Sequence, residues 1–96
     1  MTGNFEGLLG LCRRAGKLIL GLDNIEKNTK KCVLIVAASD ASDRTARSIK
    51  AFGKPVILTD MTKAQLGSLF GAGDVAACGI TDPNFASALQ DKSIGR

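Results

Sequence analysis

Residues 32–38 read Cys-Val-Leu-Ile-Val-Ala-Ala, seven apolar positions without a polar interruption, with Lys30-Lys31 before them and Ser39-Asp40 after them. A run of this length, rich in Val and Ile and bounded by polar residues, is the pattern of a strand covered on both faces. Such a strand cannot stand at the surface. The rest of the chain must supply apolar helices to both of its sides, and 96 residues leave room for one core of that kind, so residues 1–96 are expected to form a single domain.

The flanking sequence supplies the helices. Phe5, Leu8, Leu9 and Cys12 fall at i, i+3, i+4 and i+7, which predicts an amphipathic helix over 4–15 with Gly16 as its stop. Residues 17–20 form a short strand ending at Gly21. A second helix is expected from Leu22 to about Lys30, with Leu22 and Ile25 facing inward. Ser39-Asp40-Ala41-Ser42 offers caps for a third helix closed by Gly53, on which Ala46 and Ile49 are apolar and Arg44, Arg47 and Lys50 mark the wet face. Pro55 opens a third strand through Thr59, because proline suits a first strand position or an edge. Thr62 and Gln65 match a capping box for a fourth helix that stops at Gly71. A fourth strand over 75–80 follows, and Asp82-Pro83 starts a last helix with Phe85 and Leu89 on its buried side. The alternation predicts an α/β fold, a three-layer α-β-α sandwich around a four-stranded sheet.

Several chemistries are removed by what is missing. The chain has no histidine, the commonest general base and a frequent zinc ligand. Cys12, Cys32 and Cys78 lie far apart among apolar neighbours, so they read as buried free thiols of a reducing cytoplasm and not as a zinc site or redox pair. Residues 10–17 fail as a phosphate loop, since five residues separate Gly10 from Gly16 and Leu18 stands where Ser or Thr is required. Asp40, Asp60 and Asp82 each follow a predicted strand, where open α/β folds place functional carboxylates. Each also sits beside a predicted helix start, where aspartate caps free N–H groups. No enzymatic activity, cofactor or metal is expected. No apolar run reaches the ~18 to 20 residues that cross a bilayer, and the N-terminus lacks the pattern of a cleaved leader. A soluble cytoplasmic protein is the expectation.

Charge is distributed unevenly. The net charge is +4, and residues 13–31 hold six bases against two acids, a surplus equal to that of the whole chain. Such a cluster is either a solvated face or the electrostatic footprint of a nucleic-acid partner. The absence of Trp and Tyr argues against a base-stacking platform.

The run Gly7-Leu8-Leu9-Gly10-Leu11-Cys12-Arg13-Arg14-Ala15-Gly16-Lys17, then Gly21, then the strand ending Ala38-Ser39-Asp40-Ala41-Ser42 resembles the bacterial branch of the ribosomal L-seven-Ae family of kink-turn RNA-binding proteins. The resemblance continues through Leu66-Gly67-Ser68-Leu69-Phe70-Gly71 and Ile80-Thr81-Asp82-Pro83-Asn84-Phe85-Ala86. It implies the L-seven-Ae and L-thirty-e type of sandwich with a mixed sheet, and a monomer that binds structured RNA, either a kink-turn or ribosomal RNA, with the ribosome as a further partner. It also implies an RNA site made of Lys17, Gly21, Leu22, Asp23, Asn24 and Lys27 at the second helix, together with Gly73, Asp74 and Val75 in the loop before the last strand. The family's Asn-Glu pair stands here as Asp23-Asn24, which exchanges an amide for a carboxylate. A protein-interaction module of the same fold that has lost kink-turn recognition is the alternative expectation.

Overall fold

The computed structural model describes residues 3–94. In chain order it contains α1 (Gly3–Arg14), β1 (Leu18–Leu20), α2 (Leu22–Lys27), a 3-10 turn at Thr29–Lys31, β2 (Leu34–Ala37), α3 (Asp43–Ala51), β3 (Val56–Leu58), α4 (Lys63–Leu69), β4 (Ala77–Ile80) and α5 (Pro83–Ile94). The strands lie in the order β1-β4-β2-β3. β4 runs antiparallel to both β1 and β2, while β3 runs parallel to β2, so the sheet is mixed.

β2 is the buried centre that its composition demands. Leu34, Ile35 and Val36 have no exposed surface. Because side chains alternate across a strand, β2 divides them between two apolar clusters. Leu34 and Val36 pack with Leu9 and Cys12 of α1, Leu66 of α4 and Leu89 of α5. Ile35 and Ala37 pack with Ile25 of α2 and Ile49 of α3. Burying each Leu, Ile or Val contributes about 1.5–3 kcal/mol, and β2 makes that contribution to both clusters at once.

Local punctuation follows the sequence in most places. The Thr62 hydroxyl accepts from the Gln65 amide at 3.2 Å and the Gln65 side chain accepts from the Thr62 amide at 2.8 Å, which closes the capping box of α4. Asp82 accepts from the amides of Asn84 at 2.7 Å and Phe85 at 3.3 Å, capping α5. Gly53 and Gly71 adopt φ of 69° and 68° where their helices stop, a conformation open to glycine at little cost.

One reading is narrowed and one is corrected. Of the cap residues offered to α3, Ser42 does the capping, accepting from the Thr45 amide at 3.2 Å. Asp40 instead reaches across the fold and accepts from the Lys63 amide at 2.8 Å, fixing the start of α4 to the end of β2. The second helix also ends earlier than about Lys30. The Asn28 side chain donates to the Asn24 carbonyl at 2.8 Å, and the Thr29 hydroxyl donates to the Glu26 carbonyl at 2.8 Å. Side chains that take up backbone acceptors in this way compete with the helical ladder, and the chain tightens into the 3-10 turn.

Among the described residues no helix is long and apolar enough to cross a membrane.

Candidate functional site

The turn out of β1 is built on Gly21. Its amide donates to the Ala77 carbonyl at 3.0 Å, extending the pairing with β4, and its own carbonyl accepts from Ile25 at 3.0 Å to begin α2. To face both partners Gly21 adopts φ 88° and ψ 151°, a region of backbone space that is essentially restricted to glycine. A β-carbon there would meet nothing within 4 Å. The glycine is therefore required by its dihedral angles and not by crowding. Asn24 braces the turn, donating from Nδ2 to the Leu20 carbonyl at 2.8 Å.

A second segment faces this turn. After the left-handed Gly71, the Ala72 amide donates to the Gly67 carbonyl at 2.8 Å and the Val75 amide donates to the Lys63 carbonyl at 3.0 Å. These bonds hold residues 72–76 against α4. Residues 20–24 and 72–76 then form the two walls of an open groove of about 430 Å³. Seven residues singled out from the sequence line it together: Gly21, Leu22, Asp23, Asn24, Gly73, Asp74 and Val75. Leu20, Ala72 and Ala76 complete the lining; of these Ala76, a small residue beside the strand, carried no chemical signal in the sequence.

Lys17 and Lys27 lie outside the lining. Lys17 precedes β1, at the opposite end of that strand from Gly21 and roughly 13 Å away by strand rise. Leu18 and Leu34 both pair with Ile80, so the residues leading into β1 and β2 share one end of the sheet. Arg13, Arg14 and Lys17 approach that end from one side, and Lys30 and Lys31 from the other. The groove opens at the far end. Its charged lining residues are two carboxylates, Asp23 and Asp74, so the cationic cluster seen in the sequence does not line the groove. Lys27 is intermediate, exposed in the last turn of α2 and one turn beyond Asp23 on the same helical face.

The groove accordingly presents acceptors, two carboxylates and the Asn24 side-chain carbonyl, in a lining shared with the apolar Leu20, Leu22 and Val75. Groups of this kind bind N–H donors, including the amino and imino groups of nucleic-acid bases. The cysteines lie elsewhere and are buried. Burial, with the nearby Asp82 carboxylate, pushes the Cys12 thiol up to about 11. Burial and the other two thiols push Cys78 up to about 12. Thiols held so high stay protonated and poorly nucleophilic at neutral pH. Among the described residues no cluster of three His, Cys, Asp or Glu side chains could hold a metal ion.

No family model and no curated protein matches the chain. Among solved structures, a protein of unknown function from Bacillus halodurans C aligns with a TM-score of 0.81 and 24% identity, over 96% of this chain and 97% of its own. At that identity the likeness establishes a shared fold, a mixed α/β domain with a four-stranded sheet.

Proposed function

We propose that this chain is an RNA-binding domain of the ribosomal L-seven-Ae kind, a three-layer α-β-α sandwich that receives a kinked or otherwise irregular stretch of structured RNA in the groove between residues 20–24 and 72–76. The observation that carries the reading is convergence. Two segments about fifty positions apart in the chain, each marked by resemblance to RNA-binding positions, form the walls of one groove.

The charges decide how RNA would lie. A phosphate set about 4 Å from a carboxylate is repelled by ~1 kcal/mol in water and by more where water is excluded, so the backbone is not expected beside Asp23 and Asp74. Base edges carrying N–H donors suit these acceptors. The phosphates follow Lys27 and, on a longer RNA, the cationic end of the sheet marked by Arg13, Arg14, Lys17, Lys30 and Lys31.

The test is a titration at fixed, near-physiological salt against a kink-turn RNA and against the same hairpin with its two G·A pairs replaced by Watson–Crick pairs. Tight binding to the first, weakened by ~2 kcal/mol or more on the second, is the expected result. Equal, weak and salt-sensitive binding to both would overturn specific recognition. In that case the acidic lining would favour the second reading, a groove that docks a basic segment of a protein partner.

A further inference from the structure

We propose that β3 is a dimerisation edge: two copies of this chain pair their β3 strands antiparallel about a two-fold axis at Ile57, joining their sheets into one. This replaces the monomer implied by the family resemblance and is independent of the groove, which opens beside β1 and β4 at the other side of the sheet.

β3 is the last strand of the sheet. Its inner edge pairs with β2 over Val56–Leu58, and the bonds that flank this ladder run from the Ile35 amide to the Pro55 carbonyl at 2.9 Å and from the Thr59 amide to the Ala37 carbonyl at 3.0 Å. Residues 55 and 59 therefore direct their backbone groups at β2. By alternation along a strand, Val56 and Leu58 direct theirs outward. The amide that Pro55 lacks is on the β2 side, so the outer edge loses no donor to the proline. Val56 is 42% and Leu58 71% exposed, two of the three large apolar residues left uncovered among the described residues. An edge of this kind is a template for another strand.

The residues flanking β3 identify that strand as a second copy. Residues 54–60 read Lys-Pro-Val-Ile-Leu-Thr-Asp. With the two-fold at Ile57, Val56 stands opposite the partner's Leu58, and these outward-facing residues exchange both backbone hydrogen bonds, twice by symmetry. Lys54 then stands opposite the partner's Asp60. Centring the axis on Val56 or Leu58 keeps the hydrogen-bonding parity but sets Asp60 against the partner's Phe52 or the partner's Val56. The register at Ile57 alone opposes the unlike charges while keeping the apolar pair. Neither Lys54 nor Asp60 makes an ion pair within the described residues, so both are available to a neighbour.

The experiment is sedimentation equilibrium of the full chain from micromolar to millimolar concentration. The mass should rise from one chain to two. Leu58→Asp should remain monomeric with unchanged circular dichroism, since the side chain is exposed in the single copy. Lys54→Asp and Asp60→Lys should each weaken dimerisation about tenfold, by opposing like charges at two symmetric positions, and the double variant should recover it. A chain that stays monomeric throughout, a dimer that survives Leu58→Asp, or a double variant no tighter than the singles would overturn the proposal. None of these outcomes depends on RNA.

Discussion

The carbonyl of Gly73 occupies the space into which a β-carbon on Gly67 would project. Helix α4 and the 72–76 wall of the groove thus meet backbone to backbone, and the contact is reinforced by the Ala72 amide donating to Gly67 at 2.8 Å. Because Asp40 fixes the start of α4 to the end of β2, the wall inherits its position from the centre of the sheet.

Gly67→Ala reads this relationship directly. In an open helix interior the change would add ~1 kcal/mol of stability. Here the methyl group has to displace backbone, so a net loss of ~2–4 kcal/mol is expected. Urea unfolding measures it, and an unchanged or raised midpoint would mean that residues 72–76 yield freely.

Gly21→Ala should also destabilise, for a different reason. The space beside Gly21 is empty, so the expected loss of ~1–3 kcal/mol comes from holding alanine at φ 88°. A crystal structure of the variant should show an altered turn with little change in the core. A variant as stable as the parent would show that this turn is not held by its neighbours.

RNA titrations over a range of salt should read the two charges that α2 presents, Asp23 in the groove and Lys27 one turn beyond it. Lys27→Ala is expected to weaken binding to every RNA and to flatten the log–log salt slope by about one unit. Asp23→Asn should weaken binding, because it replaces a charged acceptor facing base N–H donors with a neutral amide. An unchanged slope in the first variant would take Lys27 out of the interface.

Stability should fall at alkaline pH. Burial raises all three thiols above their ordinary 9.0, Cys12 to about 11 and Cys78 to about 12. Between the unfolded and folded values the unfolded chain has lost protons that the native state keeps, so the unfolded state gains with rising pH. The contribution is complete below about 8.5 and is lost as pH climbs through 11 to 12. Melting temperatures from neutral to alkaline pH check this, together with iodoacetamide labelling, which should modify the thiols at neutral pH only after denaturation.

What the sequence determined by itself is what short-range chemistry controls. Thr62 with Gln65, Asp82 with the two amides after it, and Gly53 and Gly71 act within four residues of where they stand. The buried strand was equally plain, because a seven-residue apolar run has nowhere else to go. The tertiary structure decided what depends on strand order. Placing β4 between β1 and β2 brings the Gly21 turn against residues 72–76 and leaves the cationic cluster at the opposite end of the sheet from the groove, while the pairing of β3 with β2 brings the start of α4 to Asp40. It also leaves β3 at an edge, one of the positions Pro55 suits, with Val56 and Leu58 uncovered. Periodicity records which face of an element is apolar. Only the packed sheet determines which other element, if any, covers that face.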